Sequence, residues 1–265
     1  MANPKVSQLT VHRIRSSEIR QHRHLVVVQP HLDDAVLSCF ALMRASRQIT
    51  VVTVFSGLPD KSEPPARYDR LTNSDNPRAR MTTRRREDRQ ALRSLGARHR
   101  HLDLLDAPYR ASVPTLQSIA EAVLCAIPKT ATALALPAGI GGHADHVRLS
   151  AASSRIVRRS GIGDVSFYAD YPYAALYGWP SWVTGVPSPA LLSPEATWES
   201  ALARLSRLGA GVPTVVCLEP KIRDLKLATF AEYRTQVAAT EEGPSQLVSH
   251  RKRIPFEVFW TSHHA

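Results

Sequence analysis

Val26-Val27-Val28 is a short β-branched run that stops at Gln29-Pro30, and an imidazole and two carboxylates follow at once in His31-Leu32-Asp33-Asp34. A run this short, apolar on both faces, reads as a buried strand. The same order returns far downstream, where Ala131-Thr132-Ala133-Leu134-Ala135-Leu136 precedes His143-Ala144-Asp145-His146. A chain that twice places metal-ligand chemistry just past a buried strand is constrained towards a sheet with both strand ends on one side. The expectation is that the two clusters meet in space and hold one divalent metal.

The remaining pattern fits that constraint. Strands are expected at 24–29, 49–55, 100–105, 130–137 and 165–170, with a short one at 214–217. Helices are expected at 35–45, 82–95, 116–127, 144–159, 198–208 and 221–239. Leu116, Ile119, Ala120, Val123, Leu124 and Ile127 recur at helical spacing and mark a core-facing stripe. Gly96 is the expected stop for the helix before it. That helix would open on Arg84-Arg85-Arg86, which opposes the helix dipole and stands out as a local misfit. Strands alternating with helices imply an α/β fold, a mostly parallel sheet with helices on both faces and right-handed crossovers. In the order 3-2-1-4-5, strands one and four are neighbours at the switch point where ligands bind. Residues 57–80 are rich in Pro, Asp, Asn and Ser without periodicity, and a loop this long after a strand suggests a lid. Residues 1–23 read as a loose lead-in to one domain spanning 1–265.

Composition narrows the class. At 265 residues the chain can bury a sizeable core, and its 43% apolar content is ordinary for a soluble protein. No apolar stretch approaches the roughly 20 residues of a membrane span, and no secretory signal is visible. Cys39, Cys125 and Cys217 are widely spaced, lie in apolar stretches and form no CxxC, which fits reduced core thiols in a cytoplasm. The net charge of +11 comes mostly from arginine, but basic and aromatic residues are not interleaved as in single-strand binders. An anionic small substrate suits that charge better than nucleic acid. Oligomeric state is not legible.

The clusters themselves define a chemistry. A catalytic zinc commonly takes three protein ligands and keeps one position for water, and other divalent ions also suit His and Asp. Adjacent Asp33 and Asp34 point in different directions, so one can bind metal while the other accepts a proton from water. His143 and His146 share a face at a helix start. One could bind metal while the other polarises a carbonyl or protonates a leaving group.

Gln29-Pro30-His31-Leu32-Asp33-Asp34-Ala35-Val36-Leu37-Ser38 resembles the first motif of the PIG-L/LmbE-like N-deacetylases, and Gly141-Gly142-His143-Ala144-Asp145-His146 resembles their second. Supporting resemblances lie in 84–96, an Arg-x-x-Glu stretch leading to Leu-Gly, and in 168–174 and 226–236. The resemblance implies a Rossmann-like α/β domain and a zinc-dependent hydrolase of N-acyl amino sugars or glycosides. By position it implies His31, Asp34 and His146 as metal ligands and Asp33 as general base. It further implies His143 as oxyanion stabiliser or acid, Asp145 as the group orienting it, and Arg84 as a substrate contact. Leu32 and Ala35 depart from the family's usual Pro and Glu, which leaves the acyl acceptor open.

Arg84 otherwise reads as a solvated arginine on a basic face. Tyr168, Asp170 and Tyr173 lie at or after the fifth strand and could line a substrate pocket, or the tyrosines could simply pack. Trp179 and Trp182 could form a sugar-stacking wall, or anchor loops. Lys226 and Tyr233 read as helix packing and surface. The expected activity is removal of an acetyl group from an amino sugar, with secondary metabolism as its setting by analogy with the family. Hydrolysis of another conjugate, such as a thiol-conjugate amide or an ester, is the alternative. A dinucleotide-binding domain is excluded at the first turn, which has no Gly-x-Gly-x-x-Gly and carries two carboxylates that would repel a pyrophosphate.

Overall fold

The structure is a computed structural model and describes residues 10–186, 194–240 and 254–263. In chain order its elements are β1 (His12–Arg15), β2 (His24–Gln29), α1 (Asp34–Arg44), β3 (Gln48–Thr53), α2 (Arg67–Leu71), α3 (Pro77–Ser94) and β4 (Arg98–His101). Then come α4 (Leu116–Ala126), β5 (Ala133–Pro137), α5 (Ala144–Ser160), β6 (Asp164–Tyr168), α6 (Tyr171–Tyr177), α7 (Ser181–Thr184) and α8 (Pro194–Arg207). The chain closes with β7 (Pro213–Cys217), α9 (Pro220–Phe230), α10 (Arg234–Thr240) and β8 (Phe256–His263).

These strands form one sheet in the order β1-β7-β8-β6-β5-β2-β3-β4. The run β4-β3-β2-β5-β6 is parallel throughout and reproduces the 3-2-1-4-5 order expected from the alternation of elements. Beyond β6 the sheet changes character. β8 pairs antiparallel with both β6 and β7, and β1 adds parallel to the outer edge of β7. These two strands were not expected. β1 is His-Arg-Ile-Arg, mostly exposed at a sheet edge and without an apolar signal, so the described part of the expected loose lead-in is partly ordered strand. β8 has Glu257 as its second residue, ahead of the short apolar run Val258-Phe259-Trp260. Residues 1–9 of the lead-in lie outside the described residues.

Helices cover both faces. Val26 and Val28 of β2 face a core built with Ile119 and Val123 of α4 and Leu149 and Ile156 of α5. Leu25 and Val27 face the opposite core, built with Val36 and Phe40 of α1 and Phe230 of α9. A strand buried on both sides is what a near-continuous apolar run encodes.

Several boundaries differ from expectation. α3 begins at Pro77 rather than residue 82, because Asn76 caps it by accepting the N–H of Ala79 at 2.9 Å and Pro77 occupies the first turn. Arg84-Arg85-Arg86 therefore sit two turns into the helix, and it is Arg78 and Arg80 that stand in the first turn against the dipole. The third strand is Arg98–His101 rather than 100–105. The last expected helix splits into α9 and α10 around 231–233. Residues 57–80, expected as irregular, contain α2. Of the three thiols Cys39 is buried and Cys217 half-buried, but Cys125 is exposed, since it lies off the apolar stripe of α4.

α1 breaks at Cys39, whose φ of −129° and ψ of 19° are not helical. The N–H groups of Phe40 and Ala41 turn instead to the two carboxylate oxygens of Glu257, each at 3.0 Å. Lys226 donates to the same carboxylate at 2.8 Å, and both side chains are about 1% exposed. The expectation of Lys226 at the surface fails here: its ammonium is needed to neutralise a buried carboxylate that caps a half-helix.

Candidate active site

Two strand-to-helix corners carry the chemistry. After β2, the Asp33 N–H donates to His31 O at 3.1 Å and the His31 N–H donates to Asp34 Oδ2 at 2.8 Å. Gln29, wholly buried, accepts the Ala35 N–H at 2.7 Å and donates to Thr53 Oγ1 at 2.7 Å. The turn is thus closed by its own residues and by the neighbouring strand β3. After β5 the corner is longer and contains three glycines of positive φ, Gly139, Gly141 and Gly142. Asp170 Oδ2 accepts the N–H groups of Gly139 at 2.7 Å and Ile140 at 2.8 Å. His143 caps α5, its Nδ1 accepting the Asp145 N–H at 3.3 Å.

Because β2 and β5 are paired, the corners meet. His31 Nδ1, His146 Nε2 and Asp34 Oδ2 form a triangle with edges of 3.3, 3.3 and 3.6 Å. Tetrahedral coordination with bonds of roughly 2.0–2.1 Å puts neighbouring donors about 3.3–3.4 Å apart, so these three atoms fit one divalent ion. The outer nitrogens are held as metal-bound imidazoles require. His31 Nε2 lies 3.1 Å from Asp145 Oδ2 and His146 Nδ1 lies 2.6 Å from Asp170 Oδ1. Burial pushes both imidazoles down, but Asp106, Asp145 and Asp34 around His31, and Asp34 and Asp170 around His146, outweigh it and raise both. Such surroundings favour added positive charge. His143 also comes within 4.8 Å of His31 and His146, an alternative trio of donors. Its Nδ1 is occupied by a backbone N–H, however, whereas Asp34 Oδ2 stands 3.3 Å from His146 Nε2 and 3.6 Å from His31 Nδ1.

Asp33 lines the cavity beside this triangle. Burial, and then the charge of Asp34, push its carboxyl up to about 7, against the pull of His31, Arg84 and His146. His143 stands elsewhere on the cavity wall, held down to about 4 by burial and by the neighbouring charges of His31 and His146. A neutral imidazole whose Nδ1 accepts a hydrogen bond carries its proton on Nε2. His143 is therefore a hydrogen-bond donor. Tyr173 stacks on its ring with centroids 5.6 Å apart.

Asp145 lies elsewhere than expected. Its carboxylate meets His31 and the Ala107 N–H and pairs with Arg110 at 2.5 Å, and only its backbone N–H touches His143. It orients His31, because α5 turns the side chain towards the first corner. Tyr168 does not reach the cavity: wholly buried, it donates to Val28 O at 3.0 Å. Asp170 is likewise wholly buried behind His146 and supports it rather than contacting substrate space. Trp179 and Trp182 pack on Trp198, with centroids 5.8 and 5.5 Å away, and line no part of this cavity. Tyr233 is buried and donates to Asp88 Oδ1 at 2.9 Å.

The cavity has a volume of about 330 Å³. Arg84 is on its wall, 5% exposed, with its guanidinium 4.6 Å over the Tyr68 ring and buried Nε and Nη2 atoms without a partner. A solvated arginine is ruled out by that burial. Sequence reasoning missed Asp106, Tyr68, Tyr109 and Gln236 on the same wall. Asp106 lies 3.4 Å from His31 Nε2. Its signal was available, since it follows the third strand at the carboxyl edge of the sheet. Tyr68 and Gln236 had none, as they meet through a hydrogen bond of 2.5 Å between segments far apart in sequence. No described helix is long and apolar enough to cross a membrane.

Comparison with known proteins agrees with this geometry. The family model described as PIG-L: GlcNAc-PI de-N-acetylase matches residues 26–157, which hold both corners. Among solved structures, a triple mutant of a deacetylase of the teicoplanin biosynthetic pathway is 25% identical with a TM-score of 0.68, covering 91% of this chain and 97% of that one. The A40926 pseudoaglycone deacetylase Dbv21 is 28% identical with a TM-score of 0.66, covering 92% and 98%. A zinc-inhibited form of teicoplanin deacetylase, 23% identical with a TM-score of 0.67 over 90% and 97%, shares the fold. No curated protein sequence matches. The mostly parallel sheet, the paired corners and the match across both of them make residues 26–157 a PIG-L family domain, and the chain a member of that family.

Proposed function

We propose that this protein is a metal-dependent N-deacetylase that hydrolyses the acetamide of an amino sugar or glycoside. The observation that carries the reading is the triangle of His31, Asp34 and His146 donors at the cavity, with Asp33 and His143 beside it. Those three residues would hold the metal. Zinc suits the donors best, though other divalent ions accept the same set. When bound, such an ion acidifies water and polarises a carbonyl. Asp33 takes the proton of the attacking water. His143 donates its Nε2 hydrogen to the acyl oxygen as negative charge develops there. Asp33, once protonated, returns the proton to the departing amine, since His143 is held neutral. Asp145 and Asp170 keep the two ligand imidazoles oriented. Arg84 and Tyr173 line the space for the acyl acceptor. The deacetylases of teicoplanin biosynthesis and of the antimicrobial reagent A40926 pseudoaglycone among the similar structures support a sugar-like acceptor and a place in secondary metabolism. A soluble cytoplasmic enzyme is part of the same reading.

The test is metal analysis of the purified protein combined with acetate release across a panel of N-acetyl glycosides and thiol-conjugate amides. About one divalent ion per chain and chelator-sensitive acetate release from a glycoside are expected. Turnover of the thiol conjugates alone would replace the acceptor. Full activity in metal-free protein would overturn the mechanism.

A further inference from the structure

The corner between β5 and α5 is gripped from two sides. The peptide unit joining Ala138 to Gly139 offers its carbonyl to Arg204 Nη2 at 3.3 Å and its N–H to Asp170 Oδ2 at 2.7 Å. The next unit, joining Gly139 to Ile140, repeats the arrangement, with its carbonyl at 3.0 Å from the same nitrogen and its N–H at 2.8 Å from the same oxygen. A cation on the carbonyl and an anion on the N–H polarise a peptide group in the same sense, so each hydrogen bond strengthens the other. Arg204 and Asp170 are thus an ion pair bridged by two peptide units. Asp170 passes the constraint on through its other oxygen, 2.6 Å from His146 Nδ1.

The surroundings are shaped for this. Arg204 Nε donates to Ser150 Oγ at 3.3 Å, and that hydroxyl donates to Ala138 O at 2.8 Å. A Cβ on Gly139 would come within 2.8 Å of Arg204 Nη2, and Gly139 has a φ of +77°, so only glycine allows the approach without strain. Arg204 lines no part of the active-site cavity, and it lies on α8, outside the residues that match the family.

We propose that Arg204 is a positioning residue for His146, acting through two polarised peptide units and Asp170. The proposal rests on His146 being a metal ligand. A merely structural role, pinning α8 to the sheet, would lower thermal stability but would not depend on Asp170.

The experiment measures zinc affinity by chelator competition, and kcat and KM separately, in the full chain. The variants are Arg204→Met, Arg204→Lys, Asp170→Asn, their Asp170→Asn/Arg204→Met combination, and His146→Ala. Arg204→Met is expected to weaken zinc binding about tenfold, as loss of an outer-sphere partner does, with a fall in kcat and little change in KM. Arg204→Lys should recover part of the loss, because an ammonium keeps the charge but not the fork across two carbonyls. In the Asp170→Asn background, Arg204→Met should add nothing. Wild-type zinc affinity in Arg204→Met overturns the proposal, and so do losses that multiply in the double variant. If Arg204→Met does not fold, Arg204→Lys and Arg204→Gln carry the same comparison. His146→Ala keeps the two readings apart: retained zinc there refutes the ligand assignment itself, whereas zinc lost there and kept in Arg204→Met refutes only the role of Arg204.

Discussion

The two corners that carry the proposed metal ligands are held by different means. The backbone of the first, between β2 and α1, is tight and closed mostly by its own residues: His31, Asp34 and Ala35 close the turn with Gln29, Thr53 and Phe55 support it from the end of the neighbouring strand, and Asp145 reaches across to the His31 ring. The second, between β5 and α5, is longer and glycine-rich, and it is held by Asp170, Tyr173 and Arg204 from elements far along the chain. The backbone of the first corner is set mainly by its own residues, that of the second mainly by tertiary contacts. Substitutions in the first should therefore act on chemistry or metal directly, while the second should also respond to residues that never approach the substrate.

The largest effect separates base from ligand within the first corner. Asp33→Asn keeps size and polarity but cannot accept the proton of water, so turnover should fall by about 10²- to 10⁴-fold with metal still bound. Asp34→Asn should lose metal affinity as well, because an amide oxygen is a weaker ligand. In the wild type kcat/KM should rise with pH as Asp33 ionises. Burial and Asp34 push that ionisation up towards 7, and a bound dication pulls it lower. The acid limb of the profile should be absent in Asp33→Asn. Metal content and pH–rate curves of both variants, measured together, decide the matter. Near-normal turnover in Asp33→Asn would reverse the assignment and remove the chemical contrast between the two aspartates.

A smaller effect tests the second corner. Gly141 has a φ of +82°, and a Cβ there would lie 2.2 Å from Tyr173 Cβ. Gly141→Ala must displace Tyr173 from the His143 ring, and a cost of about 2–4 kcal/mol follows from the backbone strain and overpacking together. Gly142 has a similar φ of +75° but nothing within 4 Å of such a Cβ. Gly142→Ala should therefore cost only the αL strain, about 1–2 kcal/mol. Thermal unfolding of the two variants measures the difference. Equal losses would mean that the corner is held by its own backbone after all, like the first.

That contrast also explains what was legible in the sequence. The strands β2, β3, β5 and β6 and the order of the parallel run could be read because buried parallel strands are continuous apolar runs. His31, Asp33 and Asp34 could be read because their turn is encoded locally. Asp170 was noticed for its place after β6, but its attachment to His146 depends on pairing between β5 and β6 that no local pattern reports. Asp145 was expected beside His143, its neighbour in sequence, whereas the side chain points across to His31. β8 was missed because its apolar run is only Val258-Phe259-Trp260, with Glu257, needed to cap the break in α1, just before it and polar residues after it. Arg204 lay in a helix whose sequence shows only an amphipathic surface pattern.

The smallest effect concerns the wall where residues 57–80 meet the C-terminal part of the chain. Tyr68 donates to Gln236 across that wall and supports Arg84 with its ring. Tyr68→Phe keeps the ring beneath the guanidinium and removes only the hydrogen bond. A neutral hydrogen bond contributes about 0.5–1.5 kcal/mol net, so a rise in KM of about two- to tenfold is expected, with kcat and metal content unchanged. Tyr68→Leu removes the ring as well and should raise KM further, because Arg84 then loses the surface that orients it. If residues 57–80 act as a lid, the two variants should also broaden the range of acceptors that are hydrolysed, since the wall sets the size of the space beside the acyl group. Steady-state kinetics on a short series of N-acetyl glycosides of increasing size gives the answer. A fall in kcat at constant KM in Tyr68→Phe would show instead that this wall reaches the reacting atoms. The contrast between a chemically direct first corner and a supported second one would then need a third region beside it.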